Sequence, residues 1–379
     1  MLAYLDHHAT TPCEPAVLAA MAPWWGERWA NPASRLYRPA LEAAAAVEHA
    51  RGRVAALLEA GAARVVFTSG ATEANNLALR GVAEAALGGA SGRRRLVSVV
   101  SEHRAVLDPL RHLEHHGLPL TLLPVRADGL LDPERLARAL GPDVLLVSVM
   151  AANNEIGVLQ PLSVITELCR GCGALLHCDA AQAAGQVPLA MEALGIDLLS
   201  LSGHKFYGPV GCGALLIRPG VAVAPQQLGG GQEQGLRAGT LAVPLIVGLA
   251  EALERACVDR EARAERLGAL RDRLWTALEA LGDVQRNGAA TPRLAHNLNV
   301  TVGGGVDGTA LHRLLRRQLA VSSGSACSQG SPSHVLQALG RSRREAAASI
   351  RFGLGRGTTG AEIERAIAAV RQAVAALRG

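Results

Sequence analysis

The sequence predicts an α/β protein built on a mostly parallel sheet covered by helices on both faces. Two observations carry that expectation. Short apolar runs bounded by turn residues alternate with longer stretches of helical pattern, which is the rhythm of strands joined by crossover helices. At 379 residues the chain is also long enough to bury two cores, so a second domain is expected. The predicted strands are 65–69, 96–100, 144–150, 174–178, 198–201 and 213–217. Helical stretches such as 39–58 and 162–170 separate several of them and cover a sheet of this kind. A long Arg- and Glu-rich helical pattern follows Pro244 and runs to about residue 281, and the rhythm changes after it. A domain boundary is expected within that helix.

Composition excludes several classes. The chain is 49% hydrophobic and 19% charged, the balance of a globular protein, without a disorder signature. No apolar stretch reaches the roughly 18 residues of a membrane span, and the first residues lack the basic and apolar regions of a signal peptide. A cytoplasmic protein with no membrane contact is therefore expected. Seven cysteines are an odd number in a large chain and suggest reduced thiols. Cys169, Cys172 and Cys178 have metal-like spacing, but their helical and strand contexts differ, so no metal is expected. The formal charge of +5 is modest, and the basic runs at 93–95, 313–317 and 341–344 read as solvated helix faces. With aromatic residues at only 3%, nothing offers a stacking platform, and no direct nucleic-acid binding is expected.

Among 38 basic residues there is a single lysine, Lys205, in the run Ser202, Gly203, His204, Lys205. Arginine replaces lysine in salt bridges and anion binding but not as an amine nucleophile. A surviving lysine is thus a candidate Schiff-base residue, most simply for pyridoxal phosphate. Ligands of open parallel sheets bind beyond the carboxyl ends of the strands, and the residues there form a coherent set. Gly70, Ala71 and Thr72 open a helix suited to a phosphate. His103 follows the second strand and Asn154 the third, offering a planar ring and a hydrogen bond. Asp179, with Gln182 a turn later, could pair with a pyridine nitrogen. Each signal alone reads equally well as a cap, a turn or packing. Their joint placement at successive strand ends points to one site.

Segments 4–12, 31–35, 67–76, 102–108, 153–160, 177–182, 202–209, 229–240, 322–327 and 349–356 together resemble aminotransferase class V, specifically cysteine desulfurases of the NifS/IscS type. The resemblance implies a fold type I pyridoxal-phosphate transferase with a smaller α+β domain. It also implies a homodimer, a large domain of 14–257, and a small domain of 1–13 with 258–379. Carried over by motif position, Lys205 holds the cofactor and Asp179 pairs with its ring nitrogen. Gln182 and Asn154 contact the ring or substrate, and His103 stacks on the ring. The phosphate falls to Ala71, Thr72, Ser202 and His204, with Thr240 reaching over from the partner subunit. Arg351 takes the substrate carboxylate, and Cys327, in a Gly- and Ser-rich stretch, attacks the sulfur of L-cysteine. A persulfide on Cys327, alanine, and transfer to a sulfur acceptor such as an iron-sulfur scaffold or sulfur carrier are the implied outcome.

Three departures from the family pattern stand out. The stretch after Cys327 is a couple of residues shorter than in the long-loop enzymes, which carry Leu and Glu before the pair seen here as Pro332 and Ser333. Gln234 stands where arginine is common, and 303–305 make an unusual glycine turn. The other readings are a selenocysteine or cysteine lyase on the same scaffold, and a docking or RNA-binding platform with a vestigial site.

Overall fold

The computed structural model describes residues 2–323 and 332–379. Its strands are β1 (Ala3–Tyr4), β2 (Arg64–Thr68), β3 (Arg95–Val99), β4 (Leu120–Leu123), β5 (Val144–Ser148), β6 (Leu175–Asp179), β7 (Leu198–Ser202), β8 (Gly213–Ile217), β9 (Val284–Arg286), β10 (Asn297–Val302), β11 (Leu319–Ala320) and β12 (Ser349–Gly353). Seven of them form one sheet in the order β2-β8-β7-β6-β5-β3-β4. Neighbours run parallel except at β8, which is antiparallel to both β2 and β7.

The two faces of this sheet bury different side chains. Along β2, Val65 and Phe67 join one core while Val66 joins the other; along β8, Ala214 and Leu216 face the first, Leu215 and Ile217 the second. This is the two-residue period of a strand covered on both sides. The first core is completed by the helices Arg38–Leu57, Leu162–Cys172 and Val243–Val258, the second by Ala71–Ala85 and Arg104–His115. The six predicted strands are all present, 213–217 with the same bounds and the others shifted by a residue or two at their ends. β4 was not expected. Three of its four residues are only half-buried, so it lacks the fully apolar pattern of a central strand.

The helical pattern after Pro244 is two helices, Val243–Val258 and Arg260–Glu279, broken at Asp259 (φ −100°, ψ 11°). The first packs into the large-sheet core, and the second contributes Leu267, Leu274 and Leu278 to a separate one. That smaller core lies on an antiparallel sheet, β12-β10-β9, with the β1–β11 pair and the helix Gly360–Arg378. Arg263 is buried at the break and donates to the Asp259 carboxylate and, at 2.8 Å, to the Ala256 carbonyl. Its stem and fork thus hold the change of direction. Among the described residues no helix is long and apolar enough to cross a membrane.

The segment after β1 carries the chain from one sheet to the other. His7 N–H donates to Gly353 O (3.0 Å) at the end of β12, and Thr11 N–H to His204 O (2.9 Å) beyond β7. Residues between them are therefore drawn across the carboxyl ends of the large sheet.

Candidate active site

A cavity of about 330 Å³ opens at those carboxyl ends. Its floor begins where β2 turns into the helix Ala71–Ala85 at Gly70, whose φ of 152° and ψ of −179° suit only glycine. No side chain caps that helix, so its first amides remain for a ligand at the positive end of the dipole. Gly213 in β8 lets the turn pass close behind, since a Cβ there would lie 2.6 Å from Gly70 Cα. Ser202 ends β7, and Lys205 follows in the short helix Gly203–Lys205.

Lys205 Nζ donates to the carbonyls of His8 (2.6 Å) and Ala9 (2.9 Å), the crossing segment from the N-terminus. Asp179, at the end of β6, accepts from Asn75 Nδ2 (2.7 Å) and Ala181 N–H (2.9 Å). Those two donors orient the carboxylate into the cavity it lines. Gln182 lies beside it, its Oε1 2.8 Å from His8 Nδ1 and its Nε2 donating to His8 O at 3.0 Å. Asn154 lines the cavity with a buried side-chain oxygen that has no partner. A buried orphan acceptor of this kind marks a place a ligand completes.

His103 caps the helix Arg104–His115, its Nδ1 accepting from Ala105 N–H at 3.1 Å. In the neutral ring the proton therefore sits on Nε2. Burial lowers its pKa and the Lys205 charge adds to that, while Asp179 opposes it. His204 Nδ1 is 3.0 Å from Thr10 Oγ1, and burial with the neighbouring Lys205 pulls its pKa down to about 4. It is neutral at pH 7, so it offers an anion a hydrogen bond rather than a charge. Arg351, on β12, is fully buried at the cavity wall, with one nitrogen on Asp6 Oδ1 (2.7 Å) and another on Asn154 O (2.9 Å); its Nε has no partner.

Ala71, Thr72, His103, Asn154, Asp179, Gln182, Ser202, His204, Lys205 and Arg351 thus meet around one cavity. Thr240 does not: it sits exposed in the segment after the short helix Gln232–Gly235. Cys327 lies outside the described residues; those on either side are tied to Arg351 and to the chain neighbours of Asn154 and His103. Ser322 N–H and C=O pair with Arg351, Ser333 Oγ donates to Glu155, and His334 Nε2 meets Glu102 O at 2.9 Å. Cys169 is buried in a helix, where burial pushes its thiol up to about 12, and Cys178 is buried inside β6. Residue-by-residue reading of the sequence did not single out Asp6, His8 or Asn75. The signal available for them was the crossing segment's run of Asp6, His7 and His8, and Asn75 one turn into the helix that opens at Gly70.

The family model of the class-V aminotransferases matches residues 3–366. "Cysteine desulfurase IscS" of Methylococcus capsulatus is 46% identical over 379 residues, spanning 99% of this chain and 93% of that protein. Among solved structures, a "NifS-like protein" superposes with a TM-score of 0.91 at 34% identity, each chain covered in full. "SspA in complex with cysteine" gives a TM-score of 0.81 at 34% identity, over 93% of this chain and 98% of that one. With the family match spanning nearly the whole chain and the fold shared to that degree, the chain belongs to the class-V aminotransferases.

Proposed function

We propose that the protein is a pyridoxal-phosphate-dependent cysteine desulfurase, which converts L-cysteine to L-alanine and passes the sulfur through Cys327 to an acceptor. The observation that carries this is the single lysine of the chain, held at the wall of a cavity that also presents a carboxylate, an uncapped helix N-terminus and an orphan amide oxygen. The desulfurase relatives give the substrate, and the donor set fits the cofactor. A helix N-terminus, Thr72, Ser202 and neutral His204 suit a phosphate; Asp179 is the counter-charge for a protonated ring nitrogen. When bound, pyridoxal phosphate supplies an electron-poor ring that accepts the electron pair released at the substrate α-carbon.

The chain's own residues do the rest. Lys205 would hold the cofactor through its amine, and the same amine, beside the substrate α-carbon, would move the proton there. Arg351, kept from rotating by Asp6 and the Asn154 carbonyl, takes the substrate carboxylate. Cys327 attacks as thiolate. Its Sγ forms a bond to the substrate sulfur as the carbon–sulfur bond breaks, leaving a persulfide on the protein and, after proton uptake, alanine. The persulfide sulfur then passes to a protein such as an iron-sulfur scaffold or a sulfur carrier. The enzyme works as a homodimer in which Thr240 completes the partner's phosphate site.

Incubation with free cysteine, followed by assay of alanine and sulfide, tests the reading together with two variants. Lys205→Arg keeps the charge but should neither show the visible absorbance of the wild type nor take a borohydride label at position 205. Cys327→Ala should bind cofactor and cysteine yet make almost no alanine. A wild type that stays colourless with pyridoxal phosphate, or a Cys327→Ala variant with full alanine release, sinks it.

A further inference from the structure

A chain of buried polar side chains runs from the smaller sheet into the cavity, and its donors and acceptors can be assigned in one direction only. It starts at Arg293, whose guanidinium can only donate. Burial pulls its pKa down to about 9, so it is still a cation at neutral pH. Its NH2 group lies 3.1 Å from Asn297 Oδ1 and 2.6 Å from the Ile156 carbonyl. The other end of the Asn297 amide faces a group that can only accept, the Glu155 carbonyl at 3.1 Å. Asn297 is wholly buried in β10. An obligate donor on one side and an obligate acceptor on the other leave its amide a single orientation, with Nδ2 outward.

The second hydrogen of Asn297 Nδ2 points at His8 Nε2, 3.0 Å away. That nitrogen must then be the lone-pair side of the ring, and the ring proton sits on Nδ1. His8 Nδ1 is 2.8 Å from Gln182 Oε1 and donates to it. The Gln182 amide is fixed in turn, and its Nε2 donates one hydrogen to the His8 carbonyl at 3.0 Å. One N–H remains, on a side chain that lines the cavity. His8 is buried and stacked on His296 (centroids 4.6 Å apart, planes at 23°), with Lys205 and Arg351 as the cations that act on it. Burial, His296 and both cations hold its pKa well below the usual histidine value, so the ring stays neutral and the tautomer is set by Asn297.

We propose that Arg293, Asn297 and His8 form a one-way hydrogen-bond relay that leaves Gln182 with a fixed side-chain N–H for the ring oxygen of the cofactor, making His8 a positioning residue. This rests on reading the cavity as a pyridoxal-phosphate site. A donor on that oxygen stabilises its negative charge and so weakens the hold of the neighbouring Lys205 nitrogen on its proton. The smaller sheet thereby adjusts the chemistry of the larger one through four side chains.

The test has two readouts. Histidine labelled with nitrogen-15, in the protein without cofactor, should show His8 as a neutral ring protonated on Nδ1 at pH 7. The signal is assigned by its loss in His8→Phe, or by the largest shift in Asn297→Leu should His8→Phe not fold. In the protein loaded with pyridoxal phosphate, the pH midpoint of the visible band should rise in both variants. The expected rise is about half to one pH unit, the size of one ordinary hydrogen bond to a single protonation state. Proton on Nε2 of His8, or a midpoint unchanged in both variants, overturns the relay. Failure of the wild type to show any visible band would instead remove the site reading and leave the tautomer result to stand by itself.

Discussion

Glu102, next to His103, is a carboxyl group without access to water. Its Oε1 accepts from Met150 N–H at 2.7 Å, while Oε2 is buried with no partner. Burial pushes its pKa well above 4.5, with the Asp179 charge adding to the effect, so the folded protein binds a proton there that the unfolded chain releases. The sign follows by linkage: the stability tied to this proton is complete below the unfolded value and is lost as pH rises toward the folded one. Glu102→Gln cannot ionise and keeps the Met150 acceptor. Its melting temperature relative to wild type should therefore climb as pH rises above the ordinary carboxylate range, following a loss in the wild type of about 1.4 kcal/mol per pH unit inside the window. A difference that stays flat with pH would show that Glu102 ionises as an exposed carboxyl does.

At the scale of elements, the site depends on two backbone devices. Gly70 turns β2 into the phosphate helix at φ 152°, and alanine there would be strained whatever the space around it. Gly70→Ala should cost about 1–3 kcal/mol and release the cofactor on dialysis; unchanged urea unfolding with full retention would contradict the role given to that turn. The second device is the short helix Gln232–Gly235, where Glu233 and Gln234 sit at φ 50° and 57°. Glu233 is buried against Arg51, with nitrogens at 2.8 and 2.9 Å, and accepts from Phe67 N–H at 2.7 Å. Removing it leaves Arg51, mostly buried, with only the exposed Glu48 carboxylate and the Val65 carbonyl as partners. Glu233→Ala should destabilise by about 1–3 kcal/mol in urea, and Glu233→Gln by clearly less, because the Phe67 bond survives.

At the scale of the molecule, the segment 25–41 leaves apolar surface uncovered: Trp29 is 74% exposed and Leu36 93%, with Trp25, Tyr37 and Leu41 also exposed. Large apolar patches on a soluble chain mark contact sites. Pro32, Ala33 and Arg35 border the same groove as Gln232 and Gln234, so this surface adjoins the segment that carries Thr240. We propose that it meets a second copy. Sedimentation should find a dimer in the wild type and a monomer in Leu36→Asp, with weaker cofactor retention as Thr240 is lost from the partner's site. A monomeric wild type would contradict the arrangement. We also propose domain limits at 14–257 and at 1–13 with 258–379, for which a first proteolytic cut near Asp259 is the expected signature.

The sequence by itself determined six of the seven strands of the large sheet and the helix after Gly70, and it singled out the lysine, carboxylate and amide that meet at the cavity. Those signals are local: apolar runs, a glycine before a helix, one amine in a chain of arginines. It also placed the residues that follow β2, β3, β5, β6 and β7 at one end of the sheet, because parallel strands share a direction. Only the tertiary structure decided what the N-terminal segment and the smaller sheet contribute. Asp6 reaches Arg351 across 345 positions, and Asn297 reaches His8 across 289. No periodicity connects residues so far apart, and a hydrogen bond's direction depends on partners that folding alone assembles. The break at Asp259 was hidden for the same reason, since Arg263 and the Ala256 carbonyl hold it through contacts that a continuous helical pattern does not display.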